Sequence, residues 1–99
     1  MRVRILPAAQ AEIEDAAEWY EAARKGLAAR FLDEFDAGLL RIAEHPNAWH
    51  PLSPRVRRYR LNRFPYGIIY HLRDDEIVVV AVAHLHRRPG YWHHRLRQD

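Results

Sequence analysis

The first 45 residues alternate apolar and polar positions in a way that predicts one short strand followed by two helices. Residues 3–6 are mostly apolar and are closed by Pro7, as is typical of a strand end. From Ala8 the apolar residues recur at helical spacing, and the acidic residues mostly lie off that stripe. The predicted stripe of this first helix contains Ile13, Ala16 or Ala17, Tyr20 and Ala23.

Gly26 is expected to end the first helix, and a second helix is expected to begin near Leu27. Its apolar residues are spaced by four, four, four and three positions, which places them on one face. They are Leu27, Phe31, Phe35, Leu39 and Ile42. His45 and Pro46 should end this helix. The two helices are therefore predicted to form an antiparallel hairpin that faces a common sheet.

The second half of the chain has a β pattern. Residues 55–61, 66–72 and 76–85 read as three strands joined by short turns, which makes two consecutive hairpins. The last strand is apolar on both faces from Ile77 to Ala83, so it should be central in the sheet. The strand at 3–6 is expected to pair with it in parallel, beyond the helical crossover. Together these elements predict an α+β fold with the hairpin on one sheet face.

Side-chain alternation predicts which residues share the other sheet face, which we expect to be open. Tyr59 and Leu61 should face the core, so Arg58 and Arg60 should face away from it. On the last strand, alternation places five residues on the same side: Val78, Val80, Val82, His84 and His86. If that side also faces away from the helices, His84 lies in a groove near these arginines. Next to that groove we expect Arg87, Arg88, Tyr91 and Trp92. The alternatives are a solvated charged face for the arginines and a tail packed on the core for Tyr91 and Trp92.

The composition narrows the class of protein. The 99 residues, 48% of them hydrophobic, are expected to form one domain over residues 1–99. There is no cysteine, which excludes disulfides and thiolate metal sites. No signal peptide or membrane span is recognisable, so a cytoplasmic location is expected.

The net charge of +3 is divided unevenly along the chain. Residues 1–50 carry six Lys or Arg and nine Asp or Glu, whereas residues 51–99 carry ten Arg and four Asp or Glu. Lys25 is the only lysine. Guanidinium groups form bidentate contacts with carboxylates and phosphates, so the basic half is expected to bind an anionic partner.

Two segments of the basic half resemble a known family. Residues 57–70 read Arg-Arg-Tyr-Arg-Leu-Asn-Arg-Phe-Pro-Tyr-Gly-Ile-Ile-Tyr, and residues 81–92 read Ala-Val-Ala-His-Leu-His-Arg-Arg-Pro-Gly-Tyr-Trp. With the predicted order of elements, they resemble the RelE/ParE superfamily of bacterial toxins, in particular its ParE-like branch. The resemblance covers the chain from Val3 to about Arg95.

The resemblance implies the toxin of a type II toxin–antitoxin module, a kind of system associated with plasmid stabilisation. The implied partner is a cognate antitoxin that forms a hetero-oligomer with the toxin, neutralises it and acts as a DNA-binding repressor. An acidic, amphipathic antitoxin segment that folds on binding would suit the arginines and an apolar groove along the hairpin. The ParE branch is associated with inhibition of DNA gyrase, and the RelE branch with cutting messenger RNA on the ribosome.

The chemistry of RNA cleavage favours the gyrase interpretation. Cleavage through the 2′-hydroxyl needs a base, an acid and cations that stabilise the charge on phosphorus. Arginine cannot exchange protons near neutral pH. A nuclease would therefore depend on His84, Arg87 and Tyr91, with Arg58 and Arg60 stabilising charge. A nuclease, or a toxin-like fold with another target or only an antitoxin-bound role, remains an alternative.

On the favoured interpretation the chain is a non-enzymatic inhibitor that works by binding. The expected target- or partner-binding residues are Arg58, Arg60, Arg87, Arg88, Tyr91 and Trp92. No cofactor is expected. A metal site is not expected either, because His84, His86, His93 and His94 have no Asp, Glu or Cys nearby in sequence to complete one.

Overall fold

Five strands form one mixed sheet, and two helices pack on one of its faces. The computed structural model describes residues 1–97. Its elements are β1 (Arg2–Ile5), α1 (Pro7–Ala23), α2 (Leu27–Glu44), β2 (His50–Pro51), β3 (Val56–Arg60), β4 (Tyr66–Arg73), β5 (Glu76–His84) and a 3₁₀ helix (His93–Arg97). The α+β prediction is confirmed, and β2 and the 3₁₀ helix are additions to it. None of the described helices has the length and apolar character needed to cross a membrane.

The strand order β1-β5-β4-β3-β2 places β5 in the middle of the sheet. β1 pairs with β5 in parallel, with Val3 opposite Ile77, and the other pairs are antiparallel. The central position of the last strand was predicted from its two apolar faces, and its parallel neighbour from the helical crossover after residues 3–6. The helical hairpin supplies the crossover that a parallel pair requires.

The hairpin forms where the sequence predicts it, and its turn has a local cause. Gly26 adopts φ of +93°, a left-handed conformation that glycine allows at little cost. The Glu21 carboxylate accepts hydrogen bonds from the backbone N–H groups of Gly26 and Ala28, each at 3.1 Å. These contacts satisfy amides that the start of α2 leaves unpaired. The predicted stripe of α1 is correct at Ile13 and Ala16, which are buried, but Ala23 is exposed.

An aromatic cluster joins the hairpin to the sheet. The Phe31 ring lies 5.3 Å from Phe64, 5.4 Å from Tyr66 and 5.5 Å from Tyr20, measured between ring centroids. Phe31 is fully buried. Edge and tilted contacts of this kind add to the free energy gained by burial. The cluster therefore ties both helices to the β3–β4 turn.

The second sheet face is covered, which corrects the expectation of an open face. Residues 86–97, called here the C-terminal tail, return across this face, and Trp92 becomes part of a second apolar cluster. The other members of this cluster are Leu6, Val56, Ile69, Val78, Val80, Ala81 and Ala83. Trp92 is only 4% exposed. The alternative in which the tail packs on the core is the one that the fold adopts.

A β-bulge in β5 changes which residues face the helices. Ile69 pairs with Ala81 and Tyr70 with Val79, so Val80 is an extra residue without a partner on β4. Val80 and Ala81 consequently both face the second side, and Val82 packs on the helical side. The prediction that Val78, Val80, Val82 and His84 share one face is therefore wrong beyond the bulge.

Candidate functional site

A cleft opens between the second sheet face and the C-terminal tail. Its volume is about 240 Å³. It is called here the tail cleft, and its lining is Leu52, Arg58, Ile69, Ala83, His84, Leu85 and residues 87–93. Five of the six predicted binding residues are among them, together with His84. Arg60 is the exception, because it is exposed on the same face of β3 but lies outside the cleft.

Arg58 has room beside β4 because its diagonal neighbour on that strand, Gly67, has no side chain; Gly67 itself pairs with Arg60. A Cβ atom at Gly67 would lie 2.9 Å from Arg58 Cγ, closer than real Cβ contacts allow. Gly67 therefore lets the aliphatic part of Arg58 lie flat against β4. The Nε atom of Arg58 is buried and has no hydrogen-bond acceptor among residues 1–97.

Gly90 shapes the other wall of the cleft. It adopts φ of +77°, and a Cβ atom there would lie 2.6 Å from the His93 ring. Both the left-handed backbone and the close imidazole require glycine at this position. The turn that it forms leaves Arg88 exposed and turns Trp92 into the core.

The tail is held on the sheet by one carboxylate from the opposite side of the molecule. Glu12 of α1 forms a bidentate ion pair with Arg95, at 2.8 Å from Oε1 to Nη1 and 3.1 Å from Oε2 to Nη2. The Tyr91 hydroxyl donates to Glu12 Oε2 at 2.6 Å, and Arg87 lies 3.4 Å from the same atom. The Glu12 and Arg95 side chains are 13% and 11% exposed. This group, called here the Glu12 clasp, is therefore a largely desolvated charge network.

The Glu12 clasp also satisfies the backbone at the bulge. Glu12 Oε1 accepts the Val82 N–H at 3.0 Å, and Arg95 Nη1 donates to the Val80 carbonyl at 3.1 Å. The pairing with β1 ends at Val79, and in the described part of the chain no strand continues it. Side chains of α1 and the tail thus supply hydrogen bonds that a neighbouring strand would otherwise make.

The sequence interpretation missed Glu12 and Arg95. Glu12 is one of the acidic residues of the first helix that were placed mostly off its apolar stripe. Its spacing contained the necessary information, because it lies three residues after Ala9 and four before Ala16, both buried. A carboxylate on the buried face of a helix requires a partner, which here comes from 83 residues away.

The Tyr91 hydroxyl is occupied by its hydrogen bond within the Glu12 clasp. Burial is the main cause that raises the pKa of its hydroxyl, and the hydrogen bond to Glu12 and the negative charge of Glu12 raise it further. The Arg87 guanidinium lies 3.8 Å from the centre of the Tyr91 ring, a cation–π contact that lowers the pKa by a smaller amount. The hydroxyl is therefore held in its protonated form and directed at Glu12.

We expect the fold to lose stability in alkaline solution, partly because of Tyr91. A folded-state pKa above the unfolded value of about 10 contributes stability below that pH and loses it as the pH rises further. Burial also raises the pKa of Tyr70 to about 12, so that residue acts in the same direction. Urea midpoints measured from neutral pH to above pH 10 should fall, and should fall less in Tyr91→Phe. An equal fall in both proteins would contradict the role of Tyr91.

His84 does not have the geometry expected of a base in the tail cleft. Its ring packs on Tyr66 at 5.2 Å between centroids, and it lies between the tail cleft and a groove beside Trp19. Its Nδ1 atom accepts the backbone N–H of His86 at 3.1 Å. This hydrogen bond assigns the proton of the neutral ring to Nε2, which is then a donor. The nitrogen that could accept a proton is already occupied.

The chemistry available in the tail cleft is therefore the binding of anions. Arg58 and Arg88 supply positive charge, and Ile69, Ala83 and Trp92 supply an apolar floor. Among residues 1–97, no three His, Asp or Glu side chains are grouped so that they could hold a metal ion.

Comparison with known proteins finds similar sequences and a similar fold. Residues 3–89 match the family model for the ParE toxin of the type II toxin–antitoxin system parDE. The chain is 30% identical over 90 residues to Toxin ParE2 from two Mycobacterium tuberculosis strains, CDC 1551 / Oshkosh and ATCC 25618 / H37Rv. Each alignment covers 90% of this chain and 86% of the relative.

The fold also matches a solved structure described as the chromosomal ParDE TA system from P. aeruginosa. The TM-score is 0.74, and the match covers 85% of this chain and 95% of the other. The sequences are only 16% identical, so this likeness concerns the fold alone.

Proposed function

Because this chain belongs to the ParE toxin family of type II toxin–antitoxin systems, we propose that it inhibits growth by binding DNA gyrase and that a cognate antitoxin neutralises it. On this proposal the protein has no chemistry of its own. Its basic second face, with Arg58, Arg60 and the tail arginines, makes the inhibitory contact.

This proposal rests on the hydrogen bonds that already occupy the candidate acid and the candidate base. The Tyr91 hydroxyl donates to Glu12, and the lone pair of His84 Nδ1 is taken by a backbone N–H. Arg87 is shared between Glu12 and the Tyr91 ring. RNA cleavage would need at least one free base and one free acid near the scissile phosphate. Among the residues predicted for the site, Arg58, Arg60 and Arg88 supply fixed positive charge, which suits binding.

A groove beside α2 supports the antitoxin part of the proposal. The groove lies between the helix and the β3–β4 turn, and three arginines outnumber two acidic residues in its lining. The lining includes Arg30, Arg41 and Arg63, Asp33 and Glu34, and Leu27 and Phe64. An acidic, amphipathic antitoxin segment could place its apolar side on Leu27 and Phe64 and its carboxylates beside the arginines. Such a segment would gain its helical structure on binding.

The gyrase proposal is tested with purified components. Added to DNA gyrase and relaxed plasmid, the protein is expected to abolish supercoiling, because binding blocks the enzyme. Arg58→Glu together with Arg60→Glu should weaken inhibition at least about tenfold, because it reverses two charges on the proposed contact face. The matched control is Arg55→Glu, which changes an exposed arginine outside the clefts described above.

Events in induced cells distinguish gyrase inhibition from RNA cleavage. We expect a DNA-damage response with intact messages. Primer extension that finds new cleavage sites, lost in His84→Ala and Arg87→Ala, would favour a nuclease and contradict the proposal.

A further inference from the structure

The tail cleft contains an unpaired guanidinium that no contact of the fold explains. The Arg58 side chain makes no hydrogen bond or ion pair with any of the residues 1–97, and its Nε atom is buried. Burying a charged donor without an acceptor is unfavourable. Two glycines also make this arrangement possible: Gly67 provides the space for Arg58, and Gly90 provides the space for the tail turn. A ligand that brings an acceptor would relieve the cost.

The rest of the lining indicates what kind of acceptor fits. The cleft floor is apolar at Ile69, Ala83 and Trp92, and Leu52 forms an exposed apolar edge at 39% exposure. Arg88 adds a second positive charge at the rim. At about 240 Å³ the cleft is smaller than the roughly 300 to 1,000 Å³ of typical small-molecule sites. It is suited to one or two side chains.

We propose that the tail cleft is a peptide subsite that takes an acidic side chain, bound by Arg58, together with a neighbouring aliphatic side chain on the Ile69 and Trp92 floor. This inference rests on the proposed function, because the peptide would come from the antitoxin. The carboxylate accepts from the Arg58 guanidinium, and Arg88 lies in the lining of the same cleft. The aliphatic side chain fills the space above Ile69.

The apolar floor favours a peptide over a nucleic acid. A phosphodiester strand offers repeated charges and would leave Ile69 and Ala83 uncovered. It would also favour a continuous basic track, whereas Arg60, the next arginine on this face, lies outside the cleft. An acidic peptide with an adjacent leucine satisfies both the guanidinium and the floor with one ligand.

The subsite is tested on the full chain by nitrogen-15 NMR with capped tetrapeptides. Ala-Leu-Glu-Ala is expected to shift the Arg58 Nε–H resonance saturably, and Ala-Leu-Gln-Ala is expected to leave it in place. Arg58→Leu assigns the resonance. A lack of any shift with the glutamate peptide, or an equal shift with inorganic phosphate, would overturn the proposal and in the second case would indicate a phosphate site.

Affinity for the cognate antitoxin gives the second readout. Arg58→Leu keeps the aliphatic packing on Gly67 but removes the donors, and should weaken the complex by roughly 30-fold or more. Arg55→Leu should leave it within about twofold. Unchanged affinity in Arg58→Leu would overturn the subsite.

The two proposals fail separately. Intact gyrase inhibition and antitoxin neutralisation with no peptide effect at Arg58 would remove the subsite alone. Peptide binding in a protein that leaves gyrase active would remove the gyrase proposal alone.

Discussion

Replacement of Glu12 by alanine is expected to destabilise the fold by about 3 to 5 kcal/mol. Arg95 would remain buried without its bidentate partner, and the Val82 N–H and the Tyr91 hydroxyl would lose their acceptor. A broken buried ion pair costs this much because one desolvated charge is left uncompensated. The urea midpoint at neutral pH should fall accordingly.

Glu18→Ala is the matched control, since Glu18 lies on the same helix and is exposed. It should change stability by no more than about 0.5 kcal/mol. The double variant Glu12→Ala with Arg95→Ala should be less unstable than the sum of the two single variants, because it removes the orphaned charge as well. If Glu12→Ala is as stable as Glu18→Ala, the clasp does not hold the tail.

Replacement of Phe31 by alanine is expected to cost about 3 to 5 kcal/mol as well, for a different reason. The substitution leaves a cavity among Tyr20, Phe64 and Tyr66 and removes three aromatic contacts. For a domain of this size each kcal/mol lowers the melting temperature by about 4 to 8 °C. Calorimetry or thermal circular dichroism should therefore show a fall of more than about 12 °C.

The neighbouring Leu32 provides the control for Phe31. Leu32 is 37% exposed, so Leu32→Ala removes a partly solvated side chain and should have a much smaller effect. Phe31→Leu, which keeps most of the volume, should fall between the two alanine variants. Equal melting temperatures for Phe31→Ala and Leu32→Ala would show that the aromatic cluster does not join the hairpin to the sheet.

Much of the fold could be predicted because its patterns are strong and local. The stripe through Phe31 and Phe35 defines α2, and both residues are buried as predicted. The alternation at Arg58 and Tyr59 correctly assigns the two faces of β3. The central position of β5 follows from its apolar residues on both faces. Each of these predictions uses a period that one element contains by itself.

The bulge could not be predicted, because Ile77 to Ala83 is apolar throughout. A slip of one residue leaves no trace in a run where every position is apolar, so the faces of Val82 and His84 were assigned wrongly. The sequence predicted an open second face and left a face covered by the tail as an alternative. Its cause is a contact between Glu12 and Arg95, which are distant in sequence.

The lining of the tail cleft could be predicted better than the contacts within it. Arg58, Arg88 and Tyr91 do line one cleft, as their placement near the end of the sheet suggests. The sequence gives no indication that Tyr91 bonds to Glu12 or that His84 bonds to the His86 backbone. Those partners decide which groups remain available, and they depend on the tertiary fold.

The Glu12 clasp has a consequence for genetic selection. A search for harmless variants among surviving colonies would collect substitutions at Glu12 and Arg95, since both leave backbone groups of β5 unpaired beyond the end of β1 and invite aggregation. The substitutions in these survivors would cluster beside the tail, and their positions could be mistaken for residues that contact the target. Soluble yield separates the two classes, because a lost contact leaves the protein in solution and a lost clasp does not.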